Sequence, residues 1–149
     1  DETEYYKPEI LNDYFSEVKD KINLKDHKIE AIYKKDYLSI KGTGKIQLEK
    51  DFDEIDYSVS KINDKVDFDS NLIINKTSFQ IEKKDYKKEK NSKLQLTLSG
   101  NYEKTKGLVL DQFVILNKKN KIKLNNLLVD KYKRIIKFDD LNRFFWYRK

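Results

Sequence analysis

The chain has 149 residues, a formal charge of +6 and no cysteine, which excludes disulfides, thiolate chemistry and cysteine-ligated zinc. All but three of its 32 basic residues are lysine and 26 acidic residues lie among them, so the charge describes a solvated surface, and no nucleic-acid partner is expected. No apolar run approaches the ~18–20 residues of a membrane-spanning helix.

Ile, Leu, Val, Tyr and Phe supply the apolar side chains, with Ala31 and Pro8 the single alanine and proline, a palette that favours strands over helices. The length fits one β-rich domain over residues 1–149. An opening DETEYY without methionine leads us to expect a fragment of a longer, repetitive chain.

Residues 8–22, PEILNDYFSEVKDKI, place Pro8 in a first turn and set Ile10, Leu11, Tyr14, Phe15, Val18 and Ile22 on one stripe. This predicts one N-terminal amphipathic helix. From His27 to about residue 147 the period is two, which predicts successive half-buried strands. Ile46 and Leu48 alternate with polar residues, as do Ile55, Tyr57 and Val59, then Val66, Phe68, Leu72 and Ile74. The pattern resumes at Phe79 and Ile81, at Leu94, Leu96 and Leu98, and at Ile122 and Leu124.

In GLVLDQFVILN (107–117), Leu108, Leu110, Val114 and Leu116 share one parity while Val109, Phe113 and Ile115 share the other. That predicts a strand covered on both faces, with the N-terminal helix over the second. Gly42 to Gly44, Asn63-Asp64, Gly100 to Gly107, Asn117 to Asn120 and Asn125-Asn126 read as hairpin turns or short loops, and sequential hairpins make an antiparallel meander. KKDYKKEKNSK (83–93) reads as a mobile loop.

Candidate chemistry is sparse. His27, the only histidine, reads as a surface residue at a strand start. The acidic runs Asp51, Asp53, Glu54, Asp56 and Asp64, Asp67, Asp69 lack the central glycine and terminal glutamate of a calcium loop. KGTGK (41–45) lacks the spacing of a phosphate-binding loop. RFFWYRK (143–149) reads as a last strand or as a membrane-interface anchor. We therefore expect no catalytic residues, no metal and no cofactor.

The order VKDKINL, KIEAIYKKDYLSIKGTGKIQLE, FDEIDYSVSKINDKVDFDSNLIIN, LQLTLSGNYEKTKGLVLDQFVILNKKNKIKLNNLLVD resembles the repeating β units of AsmA-like envelope proteins, over roughly residues 8 to 142. This is the bridge-like lipid-transport family of Gram-negative bacteria that includes YhdP and TamB. The resemblance implies an antiparallel meander, twisted and curled into a groove or open β-taco, with one N-terminal helix. It further implies a non-enzymatic periplasmic module, its parent anchored in the inner membrane, that assists phospholipid transport or outer-membrane assembly. The implied partners are phospholipid acyl chains, neighbouring β repeats of the parent and, through the parent, the membrane. The groove candidates are Ile46, Leu48, Tyr57, Val59, Val66, Phe68, Leu72, Ile74, Leu94, Leu96, Leu98, Leu108, Leu110, Ile122 and Leu124. A structural or adhesive β domain of a surface protein, whose apolar rows meet another sheet or chain, is the alternative, and a lysine-rich nucleic-acid-binding domain the third. A helix of some 15 residues spans only ~22 Å and cannot cover eight or more strands at ~4.8 Å spacing, so some of the apolar row is exposed, paired or closed on itself.

Overall fold

The computed structural model describes residues 2–6, 15, 17, 19–81, 86–88, 91–118, 120–132, 134–137 and 139–145. Among them are twelve strands and no helix: β1 (Glu2–Tyr6), β2 (Lys21–Lys34), β3 (Tyr37–Gln47), β4 (Phe52–Ile62), β5 (Lys65–Ile74), β6 (Gln80–Ile81), β7 (Tyr86–Lys87), β8 (Leu94–Glu103), β9 (Gly107–Asn117), β10 (Asn120–Val129), β11 (Ile135–Lys137) and β12 (Asp140–Phe145).

One antiparallel sheet runs in the order β1-β2-β3-β4-β5-β8-β9-β10-β11, and β12 also lies along β10. Leu128 pairs with Lys137 and Asn125 with Asp140, so β11 and β12 are two halves of one ninth position. The sheet is a meander and does not close, since β1 and β11 stand at opposite ends of the order. Only β6 and β7 leave it, as a small separate hairpin between β5 and β8.

The expected helix is corrected at its C-terminal end. Lys21 and Ile22 open β2, paired with Tyr6 and Tyr5, and Glu17 lies in a turn, while residues 8–14, 16 and 18 are outside the described residues. Ile22 and Leu24 already alternate with polar neighbours, and β1 supplies the partner that makes a strand the better use of them.

Two glycines expected to turn the chain sit inside β3 instead. A Cβ on Gly42 would lie 2.3 Å from Tyr57 Cζ and one on Gly44 2.4 Å from His27 Cδ2, so the missing side chains leave room for two rings. Asn125 and Asn126 likewise belong to β10. The Lys35–Asp36 and Asn63–Asp64 turns each use a residue of positive φ, Asp36 (59°) and Asn63 (51°), which short polar side chains adopt at low cost.

Bulges reset the two-residue phase. Between β2 and β3 the register slips from Lys25↔Lys45 to Lys28↔Thr43, around Asp26 at φ 54°. Between β8 and β9 it slips from Ser99↔Gln112 to Gly100↔Leu110, leaving Asp111 over, and Asn126 of β10 takes φ 51° beside it. The bulge corrects the doubly covered reading of β9. Leu108 and Leu110 before it and Phe113 and Ile115 after it share one face, while Val109, Val114 and Leu116 go to the other, where no helix lies among the described residues.

The stretch expected to be a mobile loop is corrected at residues 86–88, because Tyr86–Lys87 form β7 and Lys88 is buried, while residues 91–93 lie in no strand.

Candidate functional site

Cross-strand partners project to the same side of a sheet, so the register sorts the side chains into two faces. Ile55, Leu72, Leu96, Ile115 and Ile122 stand side by side across five strands. The next row is Tyr57, Ser70, Leu98, Phe113 and Leu124, and the one beyond it Val59, Phe68, Gly100, Leu110 and Leu127. Lys61, Val66, Tyr102, Leu108 and Val129 form the last. With Ile46 of β3 on the same parity and Leu48, just past β3, in one core with Ile74 and Leu94, all the groove candidates fall on one apolar face. The other face is mainly polar, although it also carries Ile73, Val109, Val114, Leu116 and Leu128, with Asn71 accepting hydrogen bonds from Gln95 at 2.7 Å and Thr97 at 3.5 Å.

The groove candidates leave out residues of this face. Ile115 is buried, and Leu38, Ile40, Ile55, Phe113, Leu127 and Val129 join it. The signal was present in β9: two apolar pairs of opposite parity in one strand mark a phase reset as well as a doubly covered strand.

Burial divides the face. Leu48, Ile74 and Leu94 are buried, Val59 is exposed, and the other eleven candidates are half-buried. The buried end is covered by Phe15 and by the excursion carrying β6 and β7: Phe79 meets Phe15 edge-on at 5.5 Å between ring centroids and Tyr86 at 6.3 Å.

Polar groups clasp that cover in place. Glu49 accepts hydrogen bonds from the Glu17 and Ser78 amides, each at 3.1 Å, and from the Ser78 hydroxyl at 2.6 Å. Asp53, 2% exposed, accepts from the Asn75 and Lys76 amides at 2.7 and 3.2 Å. The Lys88 ammonium, equally buried, donates to the carbonyls of Asn75 at 3.2 Å and Thr77 at 2.8 Å. Burial holds Lys88 below the ordinary lysine value, with Asp53 and Glu49 opposing. Burial likewise raises the Tyr86 phenol, against the hydrogen bond it accepts from Asn117 at 2.6 Å.

His27 lies within β2, which corrects its placement at a strand start. Its Nε2 donates to the Lys45 carbonyl at 3.0 Å, and its ring tilts toward Tyr57 with 6.0 Å between centroids. Among the described residues no three His, Asp or Glu side chains converge on a metal position. A cleft of about 480 Å³ opens on the polar face between Lys28, Lys41, Asp56 and Asp69, groups of both signs. The backbone of Arg143–Phe145 pairs with β10, and residues 146–149 of the C-terminal aromatic run are outside the described residues.

No protein-family model, no curated protein and no solved structure matches this chain.

Proposed function

We propose that the uncovered part of the apolar face shelters phospholipid acyl chains, the chain acting without catalysis as a β-groove module of a bacterial envelope protein. The reading rests on one observation: the rows from Ile55 to Val129 are mainly apolar, contiguous over five strands and, Ile115 and Gly100 apart, half-buried or exposed, with the clasped cover confined to one end. Contiguous exposed apolar surface on a protein this rich in charge marks a contact with something apolar. Each methylene moved from water onto it contributes roughly 0.8 kcal/mol.

Headgroup chemistry fits the rim. The hairpin tips at the uncovered end carry Lys35, Lys104 and Lys131 beside the ion pairs Lys106–Glu103 and Arg134–Asp130, and Lys61 stands in the last row of the apolar face. The bulges at Asp26 and at Asp111 bend the strands they occupy, which supports a sheet curled about this face as in the AsmA-like units. A periplasmic location, a parent anchored in the inner membrane and contact with neighbouring β repeats belong to the same proposal.

The test is native mass spectrometry of the purified chain after incubation with phosphatidylglycerol and phosphatidylethanolamine vesicles. A bound phospholipid is expected, and Phe68→Asp with Leu98→Asp should abolish it while leaving the fold intact by circular dichroism. Bare protein throughout, or equal binding by the double variant, refutes the reading. In the alternative, where a second sheet or chain covers the face, the chain takes up no lipid.

A further inference from the structure

β2 has 14 residues, yet on its outer side β1 pairs only with Lys21–Lys25. Beyond the bulge, Lys28–Lys34 pairs with β3 on one side, and among the described residues no strand lies along the other. This stretch reads KIEAIYK, and Ile29, Ile32 and Tyr33 are exposed, Tyr33 at 82%. Unpaired backbone donors and acceptors between β-branched and aromatic side chains form a template for another strand.

We propose that the strand seated there is the same stretch of a second copy of this chain, antiparallel about a twofold axis through Ile32. Such an axis, normal to the sheet, keeps both apolar faces on one side and pairs residues of equal parity. Charge selects the centre. With Ile32 opposite its own copy, Glu30 faces Lys34 twice and Ala31 faces Tyr33. Centring on Ala31 sets Lys28 against Lys34, centring on Tyr33 sets Glu30 against Asp36, and centring on Glu30 sets that carboxylate against itself. Like charges directly opposite destabilise a strand pair.

Head-to-tail continuation in the sheet's own rows would bring Lys137 level with Ile32 but meets an obstacle at the end of β12. Phe144 shares a row with Lys25, through Lys121, Leu116, Gln95, Ile73, Glu54 and Lys45. Laying β12 of one copy along β2 of the next would therefore run into the position that β1 fills with Glu2. In the twofold pair each β1 falls past the partner's Lys35–Asp36 turn instead. The seam is a single short strand pair, so the dimer is a transient one. It stands independently of lipid binding.

The chain has no cysteine, which makes a cross-link the direct test. Antiparallel partners have Cα atoms about 4.5–5.5 Å apart, within disulfide range. Ile32→Cys is expected to give a disulfide-linked dimer under mild oxidation, while Ile62→Cys, similarly exposed on β4, stays monomeric. In sedimentation equilibrium at high concentration, Glu30→Lys should weaken the dimer by about tenfold and added Lys34→Glu should restore it. A monomeric Ile32→Cys chain, equal cross-linking through Ile62→Cys, a charge swap without restoration, or assemblies larger than two would each overturn the proposal.

Discussion

A single hydrogen atom in place of a side chain at position 42 lets the Tyr57 ring lie across β3. Gly42→Ala puts a methyl group 2.3 Å from that ring, so we expect a loss of about 1–3 kcal/mol in urea unfolding. Tyr57→Ala in the same chain should recover most of it, and a fully additive pair of penalties would show that the ring is not the cause. Asp130 gives a pH-dependent prediction. The Arg134 amide and guanidinium, then the Tyr132 amide, donate to its carboxylate and hold it below the usual aspartate value. A lowered carboxyl contributes its stabilisation above the unfolded value and loses it as pH falls through the folded one. The Tyr132 and Arg134 amide resonances should therefore titrate together, with a midpoint below that of an ordinary aspartate; a midpoint at or above it refutes the assignment.

At the scale of elements, the β6–β7 excursion is held by buried charge as much as by its rings. Removing one member of a buried charged cluster leaves the others uncompensated, so Lys88→Met should cost roughly 3–5 kcal/mol. Phe79→Ala should cost a similar ~3–5 kcal/mol through the cavity it leaves. Hydrogen exchange should speed up in β6 and β7 for both variants while the β4–β5 centre stays protected, and uniform loss of protection would show that the cover is not a separate unit. Strands such as β5 and β8 were legible because their alternation is nearly regular, interrupted between Val66 and Ile74 only at Ser70 and Ile73 and unbroken from Leu94 to Leu98. The phase resets were legible only in part: the two parities of β9 signal the one at Asp111, whereas Asn126 reads as a turn and nothing beside Asp26 marks its bulge. Gly42 and Gly44 were misread for a related reason: their need comes from Tyr57 and His27, which only the folded register brings over them. The clasp was hidden too, because Asp53 serves amides 22 and 23 residues away.

Across the whole molecule, the strands lie side by side in the order in which the chain lays them down, apart from the β6–β7 excursion. Load applied through β1 and β12 thus reaches the two outermost ladders first. It pulls across their hydrogen bonds, which part in succession rather than all together. In an optical trap this chain should lengthen in many small low-force steps, one strand at a time from the rims inward. A single abrupt rupture would mean that the side-chain clasp at the covered end, rather than backbone pairing, carries the load.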